Sequence, residues 1–157
     1  MITVLRIVHL MSAMVWVGGT IALVFAGVPA IRTLEGVARA TALKELGRRW
    51  RPLGWSAMGV AILSGLWLTQ LHGGFNAAAL STDFDQTLIV KSILVVFLVI
   101  GALIHDYVLG PRLQRELREK DPQAPATRRR LIMVGWFNFS LTIAVPILGV
   151  IVLSYLV

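Results

Sequence analysis

Long apolar runs, separated by polar segments, make up most of this chain. The four runs cover approximately residues 4–27, 53–71, 88–109 and 131–157. Each is long enough to cross a hydrocarbon core of ~30 Å as a helix that rises ~1.5 Å per residue. They show almost none of the polar face that a soluble helix presents at helical spacing. The pattern predicts an all-α protein, a single transmembrane domain of four helices over residues 1–157.

Prolines and polar composition set the predicted ends of these helices. Pro29 and Pro111 close the first and third runs, and we expect both helices to end there because proline cannot continue the hydrogen-bond ladder. Residues 33–49 lack proline and mix Ala and Leu with Glu, Lys and Arg, which predicts a short amphipathic helix. Residues 121–127 contain two prolines, which predicts a turn. The first run is longer than the ~7–15 apolar residues of a signal peptide and has no Ala-x-Ala-like cleavage site, so we expect it to be retained.

Several landmarks recur at nearly one offset along the chain. His9 and Lys91 are 82 residues apart, as are Pro29 and Pro111. The pairs Gly54-Trp55 and Gly135-Trp136 are 81 apart. This spacing predicts two helical hairpins, related by an approximate two-fold axis along the membrane normal, with His9 and Lys91 in equivalent places.

The positive charges are sorted by segment. The formal net charge is +7, and segments 28–52 and 110–130 hold 13 of the 15 lysines and arginines. The positive-inside rule therefore places both segments in the cytosol, and both termini and the 72–87 loop outside. A bilayer with anionic lipid, rather than nucleic acid, is the expected partner of these cations. The absence of cysteine excludes disulfides, thiolate metal sites and thiol catalysis.

Few ionisable residues lie within the apolar runs, and each of them costs roughly 2.5–3.5 kcal/mol to insert. His9 lies about two turns into the first helix, on one face with Trp16. Its imidazole suits either a metal or haem ligand or a buried hydrogen bond. Lys91, one turn into the third helix, either pairs with His9 across the two-fold or extends its amine to the surface.

Other histidines and methionines add weaker candidates. His72 lies at the outer end of the second helix, as an exposed loop residue or as a further ligand. His105 is two heptads after Lys91 and too distant to share one metal ion with it, and its neighbour Asp106 either orients the ring or pairs with Arg112. Met11 and Met14 are soft ligands that flank His9 on other faces of the helix.

Some of these residues form motifs typical of a known family. The first helix reads HLMSAMVWVGG from His9 to Gly19, followed by VPAIR at 28–32, and the third helix contains LIVK at 88–91 and HDYVLGPR at 105–112. These motifs resemble the CopD-like (copper-resistance D) integral membrane domain and the related HemJ-type protoporphyrinogen oxidases. The HemJ resemblance implies a haem b held by the equivalents of His9 and Lys91. The CopD resemblance implies copper passage across the inner membrane, with histidines involved.

These observations lead to one favoured function and two alternatives. We expect a bacterial-type inner-membrane redox protein that binds haem b near its outer side, through His9 and either Lys91 or His72, with Trp16 close by. Whether it is an enzyme, such as a haem-dependent oxidoreductase, is left open. A quinone or a porphyrin-like molecule is the expected redox partner, in a homo-oligomer or a larger membrane complex. The alternatives are a copper-binding or copper-transporting protein and a non-catalytic accessory subunit.

Overall fold

A computed structural model describes residues 2–73 and 82–155 of the chain. These residues form two compact units, Met1–Ala77 and Ala78–Val157, each of them a helical hairpin. Within the described residues, four helical spans are long and apolar enough to cross a membrane, which confirms the all-α transmembrane fold. Half of the predicted 72–87 loop, residues 74–81, lies outside the described residues, and residues 83–87 are the start of a helix rather than loop. That the two hairpins make a single domain, and that a two-fold axis relates them, remain predictions.

The first hairpin begins with a helix that continues past its proline. Helix α1 covers Ile2–Ala22 and leads through a π-helical segment, Leu23–Gly27, into α2, Val28–Arg32. The expected end at Pro29 is therefore wrong. The amide of Val28 bonds to the carbonyl of Leu23, five residues back. Because this π bond changes the ladder just before the proline, Pro29 falls in the first turn of α2, where its missing N–H is tolerated.

Helix α3 is a single helix over Gly36–Leu71. It follows a short turn in which Gly36 has a φ of +52°, a backbone conformation that favours glycine. The predicted separate helix over 33–49 is instead the first part of α3, and Pro52 lies inside it. With 36 residues, α3 is ~54 Å long, which exceeds the hydrocarbon core and extends its arginine-bearing start beyond the bilayer.

The second hairpin repeats this construction. Helix α4 covers Asp83–Leu103, a π-helical segment covers Ile104–Leu109, α5 covers Gly110–Glu119 and α6 covers Ala124–Ser154. The third helix likewise does not end at Pro111, because the amide of Gly110 bonds to the carbonyl of His105 and places the proline in the first turn of α5. The predicted turn over 121–127 is shorter, since α5 is followed by Lys120 with φ of +54° and Pro125 already lies in the first turn of α6.

Each hairpin has two distinguishable ends. The arginine-rich end contains the connection between its two long helices. The terminal end contains the start of the first helix and the end of the last one, and in the first hairpin it holds Arg6 and His72. Which end faces the cytosol remains a prediction.

Glycines allow the two helices of each hairpin to approach closely. A Cβ atom on Gly19 of α1 would lie 2.0 Å from Cη2 of Trp50 on α3. A Cβ atom on Gly101 of α4 would lie 2.1 Å from Oδ1 of Asn138 on α6. In lipid, where burial of apolar surface does not drive helices together, such close packing is a main source of association.

We expect the Gly19→Ala substitution to lower the free energy of unfolding by about 1–3 kcal/mol, because the new methyl group overlaps the Trp50 ring. Reversible unfolding in mixed micelles, followed by circular dichroism, measures this change. Gly18→Ala is the matched control, since nothing lies within 4 Å of a Cβ atom there. Equal stabilities of the two variants would contradict the role given to Gly19.

Candidate functional site

His9 is held against α3 by two hydrogen bonds and a glycine. Its Nδ1 lies 2.8 Å from the carbonyl oxygen of Ala61 and 3.2 Å from Oγ of Ser64. A carbonyl oxygen only accepts, so Nδ1 carries the proton of the neutral ring and Nε2 is its basic nitrogen. Ser64 in turn donates to the carbonyl of Val60 at 2.6 Å, which leaves its oxygen to accept from His9.

The imidazole of His9 occupies the space that a side chain on Gly65 would need. A Cβ atom on Gly65 would lie 2.9 Å from Cε1 of the ring. The ring is therefore fixed in one tautomer and one orientation. The sequence left His9 either as a metal or haem ligand or as a buried hydrogen-bonding residue. This geometry is compatible with both, because metal-ligating histidines typically bond to a backbone carbonyl through their second nitrogen.

His72 has both ring nitrogens engaged in hydrogen bonds. Nδ1 donates to the carbonyl of Leu68 at 2.7 Å, and Nε2 accepts from a terminal nitrogen of the Arg6 guanidinium at 3.2 Å. This pair joins the start of α1 to the end of α3. The predicted role of His72 as a metal ligand would require the loss of its bond to Arg6.

Trp16 belongs to an aromatic cluster nearer the arginine-rich end. Its ring centroid lies 6.3 Å from that of Trp50, and a Cβ atom on Gly54 would lie 3.1 Å from its ring. Trp16 is seven residues beyond His9, ~10.5 Å along the helix. The structure thus gives Trp16 a packing contact with α3, and its place beside the His9 site remains a prediction.

The methionines near His9 point away from α3. Met11 is 56% exposed and Met14 is 66% exposed on the surface of the hairpin. Within residues 2–73 and 82–155, no group of three or more His, Cys, Asp or Glu side chains is placed to hold a metal ion. A copper site formed by His9, His72 and one of these methionines remains a prediction.

Lys91 has a comparable setting in the second hairpin. A Cβ atom on Gly149 of α6 would lie 3.3 Å from its Nζ, so this glycine leaves room for the amine against the helix backbone. The ion pairs formed among the described residues involve other side chains. The amine lies between the helices of its own hairpin rather than extending along the surface, and its pairing with His9 remains a prediction.

His105 and Asp106 form a pair at the π-helical segment. Nδ1 of His105 lies 2.9 Å from Oδ1 of Asp106. Both residues lie in the π-helical segment Ile104–Leu109. Arg112 donates to Glu116 at 2.6 Å and to Gln123 at 3.0 Å, and its alternative pairing with Asp106 remains a prediction.

Sequence reasoning missed the residues that surround the two central nitrogens. They are Arg6, Ser64, Gly65 and Gly149, to which the sequence pattern assigned no role in a site. Their roles depend on which positions of two antiparallel helices lie at one level. A glycine on the partner helix lies against each of the two nitrogens, Gly65 against His9 and Gly149 against Lys91. Glycines in the apolar run that follows each of these residues were therefore a signal that sequence reasoning could have used.

Comparison with known proteins supplies the family. The family model described as Copper resistance protein D, CopD, matches residues 44–153, well over half of the chain. The chain belongs to the CopD family. It is also 31% identical over 118 residues to Inner membrane protein YebZ of Escherichia coli strain K12, an alignment that covers 75% of this chain and 38% of YebZ. No solved structure matches.

The match to the CopD family has a defined reach within this chain. It includes Ala61, Ser64 and Gly65, which contact His9, and also Lys91 and Gly149. It begins after α1, so it does not include Arg6 or His9 themselves. The chain spans about 38% of the length of YebZ. The protein is therefore a CopD-family integral membrane protein, and the family match includes the α3 residues that contact His9. His9 itself lies outside the match, so its candidacy depends on the contacts described above.

The contact between His9 and Gly65 makes a direct prediction for this CopD-family protein. The Gly65→Ala substitution should displace the imidazole and weaken its bond to Ala61, since the new methyl group would overlap Cε1. The ¹⁵N NMR shifts of His9 in labelled protein should then change from the Nδ1–H tautomer to a mixture of tautomers. Gly59→Ala on the same helix, where nothing lies within 4 Å of a Cβ atom, should leave these shifts unchanged.

Proposed function

We propose that this CopD-family protein is an inner-membrane redox protein that binds a b-type haem with the imidazole of His9 as an axial ligand. The observation that carries the proposal is the hydrogen bond from Nδ1 of His9 to the carbonyl of Ala61. It makes Nε2 the basic nitrogen, and haem proteins with a histidine ligand use an imidazole prepared in this way. The name of YebZ supports the inner membrane as the location.

The donor set of the chain fits a haem iron better than a copper ion. Haem iron needs one or two strong axial donors, because the porphyrin supplies the remaining nitrogens. Copper(I) in a protein site needs several soft or imidazole ligands from the chain itself. The described residues offer isolated nitrogens, each cradled by a glycine, rather than a cluster of ligands.

We assign the second axial nitrogen to Lys91 rather than to His72. The support is local to each residue, because both nitrogens of His72 are engaged while the Lys91 amine lies over Gly149 without a described carboxylate partner. Burying an uncompensated ammonium is costly, and a neutral amine that donates to a metal avoids that cost.

The roles of the chain's own residues follow from this assignment. When bound, the haem would supply one-electron transfer. Ala61 and Ser64 would keep the imidazole in the ligating tautomer, and Gly65 would admit the ring at the required position. The apolar surfaces of the helices would exclude water. A quinone or a porphyrin-like molecule is the proposed redox partner, and the terminal end of the hairpins is the proposed outer side.

Copper handling is the second candidate, favoured by the description of the matched family as a copper resistance protein. His9 would again be the central ligand. The remaining ligands would have to come from His72 after its release from Arg6, or from Met11 and Met14, whose side chains lie on the exposed surface. This arrangement requires a rearrangement or a second copy of the chain, which is why we place it second.

An absorbance spectrum with metal analysis of the purified protein tests the proposal. We expect a Soret band that is lost in His9→Ala and shifted or weakened in Lys91→Met, because each change removes a proposed axial nitrogen. Met14→Leu, on the exposed surface of the same helix as His9, should leave the band unchanged.

Two results would contradict the haem assignment. A colourless protein that contains copper, which is lost in His9→Ala, would favour the copper function. Protein that retains neither metal after reconstitution with haem and with copper would favour an accessory subunit without a cofactor.

A further inference from the structure

Arg6 is the only cation of α1, and it lies at the terminal end of the first hairpin. It is half-buried and three residues before His9, on the same face and just under one helical turn, ~4.5 Å, nearer the end. A guanidinium within an apolar helix is costly to insert, so a specific role is expected for it.

The partner of Arg6 leaves its charge uncompensated. One nitrogen of the guanidinium donates to Nε2 of His72, and His72 can accept only in its neutral form. The ion pairs among the described residues involve other cations, so no described carboxylate neutralises Arg6. A guanidinium has five N–H donors in a planar fork that matches a carboxylate, and one hydrogen bond to an imidazole uses only part of it.

His72 fixes the orientation of this guanidinium. Its Nδ1–H donates to the carbonyl of Leu68, which holds the ring at the end of α3 and directs Nε2 at Arg6. The bond to Arg6 therefore ties the cation to a rigid helix end without neutralising it. An oriented, unneutralised guanidinium one turn from a ligating imidazole is suited to bind an anionic group of the same ligand.

We propose that Arg6 binds a propionate carboxylate of the haem whose iron His9 ligates, with His72 as the residue that positions Arg6. This inference rests on the haem function proposed above and adds the residue that recognises the acidic edge of the porphyrin. It also gives His72 a role beside the site in place of a role as ligand. The porphyrin would then be oriented with its carboxylates toward the terminal end of the hairpin.

Binding of two porphyrins to three forms of the full-length protein tests the proposal. The porphyrins are haem b and its dimethyl ester, which has the same iron and ring but no carboxylates. The proteins are the wild type, Arg6→Gln and the control Arg32→Gln, which removes an exposed cation at the arginine-rich end of the same hairpin. Dissociation constants are measured from the Soret band in phosphatidylcholine nanodiscs.

We expect the wild type and Arg32→Gln to bind haem b about 10- to 100-fold more tightly than the ester, as for a hydrogen bond between charged groups. Arg6→Gln should lose this preference by weakening the binding of haem b while leaving that of the ester unchanged. Arg6→Lys should retain only part of the preference, because an ammonium lacks the planar fork.

Each other outcome overturns a distinguishable claim. Equal affinities of the wild type for both porphyrins, or an equal loss for both in Arg6→Gln, would overturn the role of Arg6 and leave haem binding intact. Binding of neither porphyrin by the wild type would overturn the proposed function and this inference together. If Arg6→Gln does not fold, as judged by circular dichroism, the role of Arg6 is tested by two other measurements. These are the preference of the wild type for haem b over the ester and the reduction of that preference in Arg6→Lys.

Discussion

Close approach of paired helices at glycine is the constraint on which each hairpin depends. In lipid, two apolar helices gain little from burying apolar surface, so tight packing and satisfied polar groups must hold them together. Gly19 admits the Trp50 ring and Gly101 admits the Asn138 amide. Gly65 admits the imidazole of His9 in the same way. The contacts that join the helices are therefore also the contacts that fix the polar side chains.

A second constraint, the pairing of backbone groups, applies at the two prolines that follow the π-helical segments. In a membrane helix each backbone N–H and C=O needs a partner within the helix, and a proline has no N–H to donate. Both hairpins meet this with a π-helical bond just before the proline, at Val28 and at Gly110. In the second hairpin this segment also contains the hydrogen-bonded pair of His105 and Asp106.

Much of the fold followed from the sequence, and much of the site did not. The four spans were predictable because hydrophobic length alone satisfies a bilayer, and His9 and Lys91 were noticeable because charge in such a run is rare. The helix ends were wrong at Pro29 and Pro111, since proline stops a helix only where the ladder stays α-helical. The contact of Asp106 with the His105 ring was one of two alternatives left open by the sequence, and the structure contains it.

The sequence by itself determined the membrane class, the number of membrane-spanning helices and which few nitrogen-bearing side chains lie within the apolar runs. It did so because a bilayer admits few backbone structures and penalises each buried charge separately. Only the tertiary structure decided what those nitrogens contact. The bond of His9 to Ala61, the cradle at Gly65 and the pairing of Arg6 with His72 each join residues more than 50 positions apart. Such contacts depend on the relative level of two packed helices, which is set by glycine positions on both of them together rather than by the composition of either one.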